Sequence, residues 1–175
     1  SPQSIYKGIS GVFQRYQRYK MTLGENISIS DTEATNGLAQ AAKKADLEVS
    51  ADSYPDGLST MLSREFDGVD ISGGQWQRVA IARGFYRTHS LIVLDEPTAA
   101  IDPIEESRLY EKFSELSQDS TAIIVTHRLG SARIADRIIV MDQGRIVAQG
   151  KHDELVAAGG KYSELFAAQA QWYAR

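Results

Sequence analysis

The sequence predicts an α/β fold with a largely parallel sheet, and two observations support this prediction. Uninterrupted apolar segments of strand length occur at 91–94 and 122–125, and polar residues follow each of them. Such segments are typical of strands buried in a parallel sheet. Segments of helical character separate the strands, and this alternation favours crossover connections that pack helices against the sheet.

The individual elements follow from local residue types. We predict strands at 9–13, 91–94, 122–125, 137–141 and 145–148, with the last two joined as a hairpin through residues 142–144. We predict helices at 35–47, 75–87, around 131, at 153–157 and at 162–170, and another that starts at 102–103. Asp102 is a favoured N-cap residue and Pro103 is tolerated in a first helical turn, so this pair marks a helix start.

Composition excludes several classes of function. The chain has 175 residues, enough for one domain with its own hydrophobic core. It carries 19 Lys and Arg residues against 23 Asp and Glu residues and shows no basic cluster, so nucleic-acid binding is not predicted. Because cysteine is absent, disulfides and thiolate metal sites are impossible. The apolar segments are of strand length and too short to cross a membrane.

The segment Ile71–Gln75 is the first candidate site. Ser72 lies three residues before Gln75, the spacing of a capping box at a helix start. The intervening Gly73 and Gly74 bring no side chains, so backbone N–H groups at the helix N-terminus can face an anion. A plain loop-to-helix junction explains these four residues equally well, because short glycine motifs recur by chance.

An acidic pair is the second candidate site, since Asp95 and Glu96 directly follow the apolar segment Leu91–Leu94. The carboxyl ends of parallel strands are where α/β sheets bind ligands. The first carboxylate suits a Mg²⁺ ion, and the second suits the polarisation of an attacking water. The alternative, that both acids cap the next helix, fits poorly because Pro97 follows at once and that helix begins only near Pro103.

The third candidate is His127, which directly follows the strand that ends near Thr126. A single histidine at a strand end is more often solvated or structural than functional. The order and spacing of all these features together are far more specific. They resemble the pattern of the ATP-binding cassette (ABC) ATPases, and the resemblance covers nearly the whole chain.

The resemblance implies a role for each motif. Ile71–Gln75 is similar to the family's signature motif, with Ile71 in place of the more common Leu. Asp95 and Glu96 resemble the end of the Walker B strand, where the first carboxylate serves the metal and the second acts as general base. The segment 98–102 resembles the D-loop, and His127 resembles the switch histidine that touches the γ-phosphate.

The segment Val12–Gln14 resembles the Q-loop, whose glutamine senses Mg²⁺ and couples to the membrane domain. The implied cofactors are ATP and Mg²⁺. The implied catalytic residues are Glu96 and His127. The implied nucleotide-binding residues are Gln14, Ser72, Gly73, Gly74, Gln75, Asp95 and Asp102, and the implied metal ligands are Gln14 and Asp95.

Further segments resemble exporter-type cassettes in particular. They are residues 23–27, 54–58, 150–155 and 160–165. Residues 63–68 lie where exporters carry a loop that touches the partner's coupling helix, although this match is looser. Trp76 is a bulky variant just after the signature, and we expect it to pack within the helical subdomain.

The phosphate-binding Walker A loop, Gly-x-x-x-x-Gly-Lys-Ser/Thr, is absent from the sequence. The Gly-Lys pairs are at 150–151 and 160–161, and neither is followed by Ser or Thr. In family order this loop, and the aromatic residue that stacks on adenine, would precede Ser1. We therefore expect a truncated chain rather than a degenerate one, inactive in isolation and with exposed apolar surface that favours self-association. The retained Glu96 agrees with this interpretation.

The resemblance implies a P-loop NTPase (RecA-like) core with an ABC helical subdomain, here without the N-terminal strands and the Walker A helix. We place the helical subdomain at 16–87, the residual core at 1–15 and 88–150, and C-terminal helices at 151–175. The implied partners are a second ABC ATPase domain, in a homodimer or heterodimer, and a transmembrane domain fused upstream. The implied function is ATP hydrolysis coupled to export, at the cytoplasmic face of a membrane.

Two other classes of function remain open at this stage. A soluble ABC-type ATPase that works on DNA or ribosomes usually interrupts or duplicates the cassette, and neither feature occurs here. A non-hydrolysing interaction module would supply only the signature motif to a partner. The presence of both Glu96 and His127 counts against that second class.

Overall fold

A computed structural model of the chain describes residues 6–98, 103–116 and 120–173. The chain divides into two compact units, Ser1–Val125 and Thr126–Arg175. In the first unit, strands β1 (Ile9–Val12), β2 (Leu91–Asp95) and β3 (Thr121–Val125) form a parallel sheet in that order. The second unit contains an antiparallel hairpin of β4 (Ile138–Asp142) and β5 (Arg145–Gly150). The predicted α/β class with a parallel sheet is confirmed.

The helices flank these strands along the chain. They are α1 (Leu23–Ser28), α2 (Leu38–Lys44), α3 (Gly73–Tyr86), α4 (Pro103–Leu116), α5 (Leu129–Ala132), α6 (His152–Ala158) and α7 (Lys161–Tyr173). Short 3₁₀ turns lie at Gly57–Ser59 and Arg64–Phe66. None of the helices in the described ranges is long and apolar enough to span a membrane. The predicted subdomain boundaries at 16–87 and 151–175 stay predictions.

Two helices differ from the prediction. Helix α2 is shorter than the predicted 35–47, because Gly37 before it (φ +99°) and Asp46 after it (φ +54°) both adopt left-handed conformations. Helix α1 was not predicted. It begins with a capping box, in which the Glu25 N–H donates to Thr22 Oγ1 at 3.2 Å and the Thr22 N–H donates to the Glu25 carboxylate at 2.8 Å.

Strand β3 is less buried than predicted. Ile123 and Val125 are 47% and 49% exposed, whereas Ile92 and Leu94 of β2 are fully buried. The exposed residues Thr121, Ile123 and Val125 alternate along β3, so one face of this strand is left uncovered in the described part of the chain. Side chains of the hairpin at 139, 141 and 146 are also exposed. These exposed positions agree with the expected apolar surface.

Helix α3 packs closely against β1. A Cβ atom at Gly84 would lie 2.5 Å from Val12 Cγ2, so a side chain there would push the helix away from the strand. The Ser10 hydroxyl donates to the Gly84 carbonyl at 2.6 Å and fixes this approach. Trp76 is 4% exposed among the residues that α3 buries, which agrees with the expected structural role.

Asp46 links three helices of the first unit. Its carboxylate accepts from Arg78 on α3 at 3.1 Å and from Lys112 on α4 at 3.3 Å, and it lies just beyond the end of α2. The Arg78 guanidinium also binds Glu105 at 2.9 Å. Burial acts to raise the pKa of Asp46, but Lys112 and Arg78 outweigh it and hold this pKa below the ordinary value of 3.8.

We predict that Asp46→Asn reduces stability near neutral pH and leaves it unchanged in acid. Asn tolerates the left-handed backbone, so the substitution removes the charge without adding strain. A depressed folded pKa contributes stability above the unfolded pKa, and this stability is lost as the pH falls through the folded pKa. Because the carboxylate is largely exposed, the loss at pH 7 should be only about 0.2–1 kcal/mol. Urea unfolding of both proteins at pH 7 and at about pH 2, well below the unfolded pKa, measures it. An equal difference at both pH values would contradict the assignment.

Candidate active site

Two of the candidate residues meet at the carboxyl ends of neighbouring strands. In the parallel pairing of β1 and β2, Val12 lies opposite Leu94. Gln14 lies two residues after Val12, and Glu96 lies two residues after Leu94. The Gln14 side-chain amide donates from Nε2 to Glu96 Oε2 at 2.9 Å, although these residues are 82 apart in sequence. The register of the sheet therefore creates the pair.

The backbone of Glu96 adopts an unusual conformation. Its φ angle is +45°, in the left-handed region that costs a residue with a side chain roughly 1–2 kcal/mol. The Glu96 N–H donates to the Val125 carbonyl at 2.9 Å, which attaches the turn to β3. Such strain persists only where the surroundings fix it, and it is concentrated at functional sites.

Asp95 is the last residue of β2 and directly precedes Glu96 in the chain, and it is partly exposed. Among the described residues, no hydrogen bond or ion pair engages its carboxylate. No cluster of three or more His, Cys, Asp and Glu side chains suited to a metal occurs in the described ranges. Mg²⁺ commonly uses only one or two protein ligands, with phosphates and waters completing the shell. The Asp95 carboxylate and Gln14 Oε1 are hard oxygen donors that fit this pattern.

The signature-like segment forms the N-terminus of α3, as predicted. The Gln75 N–H donates to the Ser72 hydroxyl at 3.2 Å, and the Ser72 N–H donates to Gln75 Oε1 at 2.8 Å. The predicted capping box is confirmed. Gln75 Nε2 also donates to the Ser53 hydroxyl at 3.1 Å, which fixes the loop before α3.

Packing within the chain does not explain the glycine at 73. A Cβ atom at Gly73 would meet no described atom within 4 Å, and its backbone is outside the left-handed region. Ser72 and Gly73 are exposed, and the Gly73 carbonyl accepts from the Tyr16 hydroxyl at 3.0 Å. This helix start therefore presents backbone N–H groups on an open surface, as an anion site requires.

Two candidates remain, His127 and Asp102. His127 belongs to the second unit and is exposed, and its carbonyl accepts from Gln169 Nε2 on α7. The Leu129 N–H donates to Gln169 Oε1 at 2.8 Å, so α7 holds this segment through one side chain. Asp102 lies outside the described residues. The structure thus joins Gln14 to Glu96, with Asp95 adjacent, and joins Ser72 to Gln75.

Sequence reasoning missed a buried polar cluster that follows Glu96. Its members, Gln77, Thr98 and Glu106, are each at most 3% exposed, and they join α3 and α4 to the end of β2. Gln77 directly follows the buried Trp76, so a polar residue stands beside a large apolar residue in the sequence of the helix. This contrast in residue type is the signal that could have indicated the cluster. The partners of these side chains are distant in sequence, so the contacts themselves have no local signal.

A parallel sheet with polar residues at its carboxyl ends and a glycine-rich, capped helix start are features typical of nucleotide-binding α/β domains. The chain belongs to the ABC transporter family, whose family model matches residues 1–99. The resemblance found in the sequence is confirmed.

Individual relatives agree with this assignment. The chain is 42% identical to the subtilin transport ATP-binding protein SpaT of Bacillus subtilis, over 93% of this chain and 27% of that protein. It is 36% identical to an ATP-dependent lipid A-core flippase of Shewanella sp. (strain MR-4), over 97% of this chain and 28% of that protein. A solved bacterial Atm1-family ABC exporter with ATP bound matches with a TM-score of 0.84 and 32% identity, over 96% of this chain and 29% of that one. The chain thus spans less than a third of the length of these relatives.

Proposed function

We propose that this chain is part of the ATP-hydrolysing domain of a transporter that exports its substrate across a membrane. The observation that carries the proposal is the hydrogen-bonded pair Gln14–Glu96 at the carboxyl ends of adjacent parallel strands. This pair places a carboxylate where α/β sheets bind ligands and orients it with an amide. The relatives, an ATP-binding transport protein and an ATP-dependent flippase, support the same function.

In this proposal Glu96 is the general base. Its carboxylate accepts a proton from the water that attacks the γ-phosphate of ATP, and Gln14 fixes the orientation of that carboxylate. Asp95 and Gln14 would hold Mg²⁺ through their oxygen atoms, and the ion supplies neutralisation of phosphate charge when bound. His127, from the segment after β3, would contact the γ-phosphate, and Asp102 would act within the D-loop.

The signature residues serve a different nucleotide. We infer that Ser72, Gly73, Gly74 and Gln75 face an ATP that is held by a second ABC ATPase domain, in a homodimer or heterodimer. The open surface at Gly73 supports this role, because nothing in the chain's own packing requires a glycine there. An approaching phosphate would meet backbone N–H groups and the positive end of the α3 dipole.

The same proposal places the chain at the cytoplasmic face of a membrane, attached to a transmembrane domain. Two relatives have names that combine ATP-binding and permease functions, the ATP-binding/permease protein YgaD of Bacillus subtilis and the mycobactin import protein IrtA of Mycolicibacterium thermoresistibile. These names support a membrane domain in the same polypeptide. We propose no nucleic-acid partner, in agreement with the net charge of −4.

Calorimetric titration with MgATP tests the proposal on two proteins, the 175-residue chain and the full-length transporter that we propose contains it. We expect saturable micromolar binding by the transporter and none by the chain alone, since the chain lacks the loop whose amides and lysine cradle phosphates. Single hydrogen bonds from Gln14 and His127 contribute only about 0.5–1.5 kcal/mol each. A micromolar site needs roughly 8 kcal/mol.

The control for this titration is MgADP, which lacks the γ-phosphate. A one-site micromolar isotherm for MgATP with the isolated chain would show that another segment performs the work of the Walker A loop. Absence of MgATP binding and hydrolysis by the full-length transporter would contradict the proposed function itself.

A further inference from the structure

The two residues that follow Glu96 are held by buried polar side chains from two helices. Gln77 on α3 is 2% exposed, and its Nε2 donates to the Pro97 carbonyl. The Thr98 hydroxyl, on a residue that is also 2% exposed, donates to Glu106 Oε1 on α4 at 2.5 Å. Buried polar groups without partners are costly, so each of these contacts is a strong constraint on the backbone.

Together with β3, these contacts fix the turn that carries Glu96. On its N-terminal side the Glu96 N–H binds the Val125 carbonyl at 2.9 Å, and on its C-terminal side the Pro97 carbonyl and the Thr98 hydroxyl are bound. The left-handed φ of +45° at Glu96 requires surroundings that over-determine it. Three attachments from β3, α3 and α4 meet this requirement.

Helix α3 contributes to both proposed functional regions. Ser72 caps its N-terminus, and Gln77 lies five residues further along, which is about 7.5 Å of helix axis at 1.5 Å per residue. Over the short distance between Ser72 and Gln77, helix α3 moves as a rigid body. A displacement of the helix start would therefore be transmitted through the Gln77 amide to the Pro97 carbonyl, directly beside Glu96.

We propose that Gln77, Thr98 and Glu106 are positioning residues that hold Glu96 in its catalytic orientation, and that Gln77 makes this orientation depend on the position of the signature helix. The inference rests on the proposed function, in which Glu96 is the general base. It assigns these side chains no contact with ATP or water. Through Gln77, a nucleotide bound against Ser72 and Gly73 would affect hydrolysis at the chain's own site.

The test uses an isosteric pair at Thr98 in the full-length transporter. Thr98→Val keeps the shape and removes the hydroxyl, whereas Thr98→Ser keeps the hydroxyl. We expect Thr98→Val to lower kcat roughly tenfold to a hundredfold while the KM for ATP stays within about twofold, because a small misplacement of a catalytic group affects the chemical step. Thr98→Ser should retain most of the wild-type kcat.

Gln77→Met provides a second, independent variant, since it preserves length and burial but removes the donor to Pro97. The same loss of kcat at constant KM is expected. Tyr110→Phe is the matched control, because Tyr110 is 1% exposed and its hydroxyl forms a 3.3 Å hydrogen bond with that of Thr98, so the substitution removes a buried hydroxyl and keeps both the Thr98–Glu106 and the Gln77–Pro97 hydrogen bonds. This control should reduce thermal stability and leave kcat near the wild-type value.

The outcomes separate the inference from the proposed function. Wild-type kcat in both Thr98→Val and Gln77→Met would overturn the inference. A loss of kcat that is fully explained by a loss of folded protein, or that is equally large in Tyr110→Phe, would also overturn it. Glu96→Gln is measured in the same preparation. If it is inactive while the Thr98 and Gln77 variants are fully active, only the positioning role fails. If it hydrolyses ATP normally, the role of Glu96 as general base fails, and if the wild-type transporter does not hydrolyse ATP, the proposed function fails.

Discussion

Replacement of Glu96 by Gln in the full-length transporter should lower ATP turnover by about 10²-fold or more and leave ATP binding intact. The substitution keeps the size of the side chain, and the new amide oxygen can still accept the hydrogen bond from Gln14. It removes the group that, in the proposed mechanism, accepts a proton from the attacking water. Phosphate release at saturating ATP measures the effect on kcat, and a titration with MgATP measures binding.

Glu111→Gln is the matched control for this prediction. Glu111 is an exposed residue of α4, and the same loss of charge there should leave turnover at the wild-type level. Near-normal hydrolysis by Glu96→Gln would show that Glu96 is not the base. An equal loss in the Glu111 variant would mean that the effect arises from charge rather than from the site.

Replacement of Gly73 by Asp is the second large effect that we expect. The carboxylate would occupy the open surface at the start of α3 and repel the phosphate that the partner domain presents there. ATP-driven closure of the two domains should be lost, and ATP turnover with it. Crosslinking or light scattering with and without MgATP measures closure, and phosphate release measures turnover.

We do not expect the Gly73→Asp protein to misfold, so a loss of closure can be assigned to the new side chain. A Cβ at Gly73 meets no described atom within 4 Å, and an acidic residue in the first turn interacts favourably with the helix dipole, so the folded chain should be at least as stable as before. Gly73→Ala, with a small neutral side chain, should show a weaker defect. In a heterodimeric transporter the defect should appear at the site opposite this chain's own Asp95 and Glu96. A defect confined to the chain's own site would refute the role in trans.

The sequence predicted the parts of the fold and site that depend on local patterns. Asp95 and Glu96 could be placed at a strand end because the apolar segment before them is uninterrupted. The contact between Gln14 and Glu96 was not predicted, because it depends on which strands are neighbours; it arises from the parallel pairing of β1 with β2, whose carboxyl ends share one edge. The capping box of Ser72 and Gln75 likewise follows from residue spacing. The same spacing occurs at Thr22 and Glu25, but this second capping box was not predicted.

Features that depend on distant residues could not be predicted. The exposure of Ile123 depends on which elements cover β3, and the residues of that strand do not specify this. The left-handed backbone of Glu96 and the contact from Gln77 to Pro97 arise from three-dimensional packing. The early end of α2 at Lys44 reflects a left-handed Asp46, whose residue type permits but does not require that conformation.

The chemical identity of the nucleotide retained by the Glu96→Gln transporter tests the central claim most directly. The protein is incubated with radiolabelled MgATP, separated rapidly from free nucleotide, and analysed by chromatography after denaturation. If Glu96 is the general base of an ABC ATPase, the retained label should be almost entirely ATP, while the wild type releases ADP and phosphate. Retained label that is mostly ADP, formed at the wild-type rate, would contradict the proposed role of Glu96.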